Sequence, residues 1–123
     1  MRFHALKVSA SVSGDYYQLY LGSEENEEDD PFEVAGPYLL LQREFEMSGK
    51  QCYIETKNES YIGHFSLKLI ELSPSLLSFD IVRARDNHVE VSFALDASTF
   101  EDVRRVAEVI FGLREPDEGD ALS

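Results

Sequence analysis

Outside a loop at 23–37 that breaks all periodicity, apolar and polar residues along the chain alternate with a period of two almost everywhere except in one segment near the end. Tyr17, Leu19 and Leu21 alternate with Tyr16, Gln18 and Tyr20; Phe65, Leu67 and Leu69 with His64, Ser66 and Lys68; Val89, Val91, Phe93 and Leu95 with His88, Glu90 and Ser92. This spacing places one set of side chains on each face of a strand. Residues 3–10 and 16–22 predict two strands joined at Ser13-Gly14-Asp15. Residues 38–45 predict a central strand, apolar on both faces at its start. After Gly49 the segment QCYIET puts Cys52 and Ile54 on one face, and Lys57-Asn58-Glu59 predicts the next turn. HFSLKL and LLSFDIV follow, separated by Ser73-Pro74-Ser75. A tight turn at Asp86-Asn87 then leads into HVEVSFAL.

The exception is Ser98 to Leu113. Val103, Val106, Ala107, Ile110 and Leu113 recur at three- and four-residue steps and predict the apolar stripe of a helix, with Asp102, Arg104, Arg105 and Glu108 on a solvated side. Ser98 and Glu101 have the spacing of a capping box, and Gly112 and Pro116 supply the stop. Six or seven strands with no room for helical crossovers predict an α+β fold, an antiparallel meander packed on one C-terminal helix. Such a sheet would be about 30 Å across against about 10 Å for the helix. It must therefore curl strongly, or its apolar surface must be covered by a second copy or a partner.

Charge changes this picture at two places. The chain of 123 residues has a net charge of −13, and much of it is concentrated. Glu24, Glu25, Glu27, Glu28, Asp29 and Asp30 form an acidic run inside a loop at 23–37, which Phe32 and Val34 could pin to the core, and residues 115–123 form an acidic tail. With those ten loop and tail acids set aside, 14 acids remain against 11 bases. The expected organisation is one α+β domain over 1–114 followed by a flexible tail over 115–123. The acidity argues against nucleic acid or an anionic membrane as partner, since both require positive charge. The absence of a long apolar run predicts a cytoplasmic protein without a membrane span.

Candidate chemistry is sparse. His4, His64 and His88 fall in three separate predicted strands, and the single cysteine, Cys52, supplies no zinc pattern and reads as a buried small hydrophobe. The acidic run lacks the glycine and terminal glutamate of a calcium loop. No phosphate-binding loop and no nucleophile elbow is present. No catalytic residue, metal site or cofactor is expected. The acidic run has two readings, a solvated loop without a task or a partner-binding element that faces a basic protein surface and steers association.

From Leu39-Leu40-Leu41-Gln42-Arg43 onward the chain resembles the immunity protein 10 family, small bacterial proteins encoded beside polymorphic toxins. The family order is a strand ending in a Leu-rich Gln-Arg motif, a Tyr-x-Glu strand, a glycine hairpin, two or three further strands and a closing helix. Here these correspond to Leu39 to Phe45, Tyr53-Ile54-Glu55, Ser60-Tyr61-Ile62-Gly63, the strands from Phe65 to Leu95, and Phe100 to Phe111. About two thirds of the chain is covered, and Ile62-Gly63-His64 has one glycine where the family has a pair. The resemblance implies an α+β protein, not an enzyme, that binds and neutralises a cognate toxin. A nuclease-type toxin with a basic surface would suit the acidic run. Gln42, Arg43, Tyr53 and Glu55 read first as cross-strand pairs and second as toxin contacts. Two other classes stay open: a homo-oligomeric scaffold, a homodimer for instance, and a small-ligand carrier using the concave face of the sheet.

Overall fold

The computed structural model describes residues 1–13, 16–23, 36–44 and 51–113. The acidic run Glu24 to Asp30, Phe32, Val34, the turn residues Gly14, Asp15 and Gly49, and the tail 115–123 lie outside the described residues. Among the described residues there are eight strands: β1 (Arg2–His4), β2 (Lys7–Ser13), β3 (Tyr16–Gly22), β4 (Tyr38–Glu44), β5 (Gln51–Thr56), β6 (Gly63–Ser73), β7 (Leu76–Ile81) and β8 (His88–Ser92). One helix, α1 (Ala97–Ile110), follows them. The architecture is α+β: a single sheet in the order β1-β8-β7-β6-β5-β4-β3-β2 with a C-terminal helix.

The sheet is mixed, not purely antiparallel, and has eight strands in place of six or seven. All neighbours are antiparallel except β1 and β8, which run parallel with Arg2 opposite Glu90 and His4 opposite Ser92. The reason lies in the predicted strand 3–10, which bends at Ala5-Leu6. Before the bend the chain pairs with β8; at the bend the Ala5 amide donates to Ser92 O and the Leu6 amide to Gly22 O; beyond it the chain pairs with β3. Counted as passes of the chain, residues 2–13 are one, and β3 to β8 are six more. An up-and-down meander with an odd number of passes that curls until its ends meet must bring the first and last together pointing the same way. Lying flat, eight strands would hold β1 and β2 roughly 34 Å apart. Three residue steps from His4 to Lys7 reach at most about 11 Å. The two edges are therefore drawn together into a strongly curled sheet, linked by the chain at Ala5-Leu6 but not closed by a continuous ladder.

β6 makes the matching corner on the other side. Gly63 to Ser66 pair with β5, and Leu67 to Ser73 pair with β7. A register shift between Leu69 and Glu71 leaves Ile70 turned out and 53% exposed. Gly63, which opens β6 at φ 145°, lies in backbone space that side chains disfavour, and it follows a 3-10 turn at Glu59–Tyr61 capped by Asn58. The expected tight turn at Asp86-Asn87 is instead a longer loop over 82–87. It is held by Arg83, which donates to the Asp86 and Ser60 carbonyls and lies about 5 Å from the Tyr61 and Phe65 ring centres.

The helix occupies the concave side and packs on β2, β3 and β4. Its start differs from expectation. Asp96, not Ser98, is the N-cap, accepting from the Thr99 amide at 2.7 Å, and Glu101 pairs with Arg104 in place of reaching back. The Thr99 contact holds the Asp96 carboxyl below its ordinary value. The stripe is Val103, Val106, Ala107, Val109 and Ile110, all buried. Leu113, expected in the stripe, is 64% exposed, because the helix has already ended and Gly112, at φ 75°, turns the chain away. Phe111 continues the contact in its stead, its ring 5.3 Å from that of Phe79 on β7.

Candidate functional site

Alternation on β3, β4 and β5 sends Leu19, Leu21, Leu39, Leu41, Cys52 and Ile54 into the core, each at 0 or 1% exposure. The side chains between them necessarily stand on the opposite, convex face, away from α1. Sheet register gathers these into two rows. One runs Tyr20, Leu40, Glu55; the other runs Gln18, Gln42, Tyr53, His64. Tyr38 stands beside Leu40 at the end near Gly22. The result is a face rich in tyrosine and amide groups and poor in charge.

Contacts tie the face together. The Tyr38 hydroxyl donates to Glu55 Oε2 and the Tyr53 hydroxyl to Glu55 Oε1, each at 3.0 Å. Gln42 Nε2 donates to Gln18 Oε1 at 3.0 Å. The Tyr20 and Tyr38 rings stack with centres 6.2 Å apart at 24°, and Tyr53 meets the His64 ring at 5.3 Å. Tyr20 lies across Gly22, where an added Cβ would fall 2.7 Å from its hydroxyl. Glycine there is what lets the ring lie flat.

Glu55 is the electrostatic centre of this face. Burial, then the carboxylate of Glu55, push the Tyr38 hydroxyl up to about 12. The hydrogen bond to Glu55 is the main cause that raises Tyr53. Both phenols thus keep their protons and aim them at the carboxylate. Among the described residues no lysine, arginine or histidine is within ion-pair distance of Glu55. Each of its oxygens accepts one tyrosine proton and retains capacity for another.

The expected partner-binding residues Glu24, Glu25, Glu27, Glu28, Asp29 and Asp30 lie outside the described residues, but the ends of their loop do not. Ser23 N donates to Pro37 O at 3.1 Å, so the acidic segment leaves and rejoins the sheet beside Tyr38. Of the family-like motif, Gln42, Tyr53 and Glu55 stand on the convex face in cross-strand and same-strand contacts. Arg43 points the other way, to the helix, where its Nη1 donates to Val109 O. Tyr20 and Tyr38 were not candidates from the sequence, and His64 entered only as one of three scattered histidines. The available signal was tyrosine recurring at outward positions of adjacent strands, and only the register joins them.

Elsewhere the histidines remain apart: His4 contacts Ser92 at 2.8 Å and His88 contacts Asp80 at 2.9 Å. Burial pushes the Cys52 thiol up to about 11. Among the described residues no three His, Cys, Asp or Glu side chains are gathered to hold a metal ion, and no helix is long and apolar enough to cross a membrane. Arg104 sits between Glu101 and Glu108 on the solvated side of α1. Compared with known proteins, the chain matches no family model and no curated protein.

Proposed function

We propose that the protein is an immunity protein that binds and neutralises a cognate bacterial toxin, acting by capture and not by catalysis. The observation that carries this reading is the convex face of β3–β5, with the acidic segment entering and leaving the sheet at its edge. Tyrosines supply large contact area at small cost in side-chain entropy and are enriched in protein interfaces. The acid-rich run, whose flanking Ser23 and Pro37 meet at this face, suits a basic partner, such as the active-site surface of a nuclease-type toxin, and opposed charge speeds encounter. The family-like order of elements from Leu39 to Phe111 supports the same reading. A scaffold that pairs with its own copy could use this face too, although like-charged acidic segments would then be brought together. A ligand carrier has less in its favour, because α1 occupies the concave side at β2–β4.

Co-expression with the toxin domain encoded by a neighbouring gene tests the reading: protected growth and a stable complex are expected, and unprotected growth would overturn it. Replacing Glu24, Glu25, Glu27 and Glu28 together by Gln should slow association by ten-fold or more at low salt. That difference should shrink as ionic strength rises, since screening acts over about 8 to 10 Å near physiological salt.

A further inference from the structure

We infer that Glu55 and the tyrosines around it form a receptor for one arginine side chain of the partner protein. The inference rests on the protein-binding reading above and names the contact at its centre. Three observations converge on a guanidinium. Glu55 is half-buried on the convex face, and no cation among the described residues pairs with it. A carboxylate in that position has hydrogen bonds but not the opposite charge with which partly buried carboxylates are commonly paired. Each of its two oxygens accepts from one tyrosine, Tyr38 or Tyr53, at 3.0 Å, which orients the carboxylate and leaves further acceptor capacity on each oxygen. The two oxygens of a carboxylate match the fork of a guanidinium, whereas an ammonium engages them as a point charge.

The walls agree with the floor. Tyr20 stacks with Tyr38 and Tyr53 meets His64, so the two phenols that touch the carboxylate each belong to an aromatic pair, and a planar cation docked there has aromatic surface nearby to lie against. Leu40, directly opposite Glu55 in register and half-buried, provides apolar surface for the methylene stem. Charge complementarity favours the same occupant, because the sequence between Ser23 and Gly36 is rich in acids and its described flanks, Ser23 and Pro37, meet beside Tyr38. Glu55 then fixes which basic group docks, and the acidic segment brings it there.

The test uses N-acetyl-arginine amide as probe, titrated into the isotope-labelled full chain and followed by NMR. Saturable shifts are expected at Tyr38, Tyr53 and Glu55, with the lysine analogue weaker and the neutral citrulline analogue inactive. Glu55→Gln should weaken probe binding at least ten-fold while leaving the melting temperature near wild type. Tyr53→Phe, which keeps the ring and removes one of the two orienting hydrogen bonds, should weaken it by less. Shifts that spread over the acidic segments and persist unchanged in Glu55→Gln would overturn the receptor, as would equal binding of the citrulline analogue. In the toxin co-expression assay, Glu55→Gln that captures toxin with the wild-type off-rate overturns the receptor and leaves the immunity reading standing. A wild-type protein that captures no toxin overturns the immunity reading, and the probe titration then judges the receptor on its own.

Discussion

Arg43 on β4 donates from Nη1 to the carbonyl oxygen of Val109, 66 residues later, at 2.7 Å. That bond and three others satisfy the end of α1. Leu113 N donates to Glu108 O and Gly112 N to Val109 O, the paired pattern of a glycine-terminated helix, and the Cys52 thiol donates to Ile110 O at 2.9 Å. The negative end of the helix dipole thus meets a guanidinium supplied by the sheet. Arg43→Met should cost about 1.5 to 3 kcal/mol, the range for a hydrogen bond from a charged group. Denaturant titration would show it as a lower midpoint, and an unchanged midpoint would mean that the bond contributes nothing net.

The helix also holds the core by packing. Ile110 is 1% exposed, so Ile110→Ala should cost about 2 to 5 kcal/mol. Leu113→Ala, one turn further at an exposed position, should leave the midpoint within about 0.5 kcal/mol. The contrast between the two is the measurement, since both remove an aliphatic side chain from the same end of the molecule.

The period-two pattern located β3 to β8 and their inward residues well, because a strand with one face in the core must alternate. At Ala5-Leu6 the alternation slips phase, from Phe3 and Ala5 inward to Val8, Ala10 and Val12 inward with Leu6 and Lys7 both exposed between them, which marks a bend but does not say which strand the first half pairs with. The pattern therefore missed the parallel pairing of β1 with β8. At the helix, Ser98 and Glu101 satisfied the spacing of a capping box, yet Asp96 lay two residues upstream and is an equally good cap, and the docked position of α1 decided between them. Arg43 looked like a surface residue by type; its alternation with Leu39 and Leu41 was the clue that it faces inward. The aromatic face was half legible. Tyr16 and Tyr20 were assigned to the polar side of their strand, but the meeting of Tyr38, Tyr53 and Glu55 depends on register between strands, which periodicity within a strand does not contain.

Titration with alkali should separate the tyrosines. The Tyr38 hydroxyl rises from an ordinary 10.0 to about 12, and Tyr53 also rises, mainly through its bond to Glu55. A group whose folded pKa is raised contributes its stability fully below the unfolded value and loses it as pH climbs through the folded one. Tyr38 should therefore stabilise the fold up to about pH 10 and stop doing so by about pH 12. Cys52, raised from 9.0 to about 11, acts in the same direction over pH 9 to 11. Phenolate absorbance should show late-titrating tyrosines in the wild type, and Glu55→Gln should bring Tyr53 back toward ordinary behaviour. If all tyrosines titrate together near pH 10 while the protein is still folded, the Glu55 contacts do not persist in solution.

Gly22→Ala tests the flat placement of Tyr20. The new methyl would fall 2.7 Å from the Tyr20 hydroxyl and 2.9 Å from a ring carbon, so the ring must shift from its present place and its stack with Tyr38 is disturbed. Because the ring is on the convex face, the fold should survive with a loss of about 1 to 3 kcal/mol at most, in the range of overpacking. Changed ring resonances of Tyr20 and Tyr38, with the core methyl signals unmoved, are expected. Unmoved tyrosine resonances would show that Tyr20 does not lie over Gly22.

The pairing of Arg2 to His4 with Glu90 to Ser92 has a consequence for the order in which the molecule is assembled. During synthesis the first strand leaves the ribosome with its partner still unmade, and the β2–β3 hairpin can form long before β1 has anything to bind. The seam closes only after β8 has emerged. Contacts so distant in sequence are slow to form because the intervening chain must first be ordered. Until then one edge of the nascent sheet stays open to other chains. A chain truncated before His88 should accordingly expose that edge permanently, and would be expected to associate with its own copies instead of accumulating as a folded monomer.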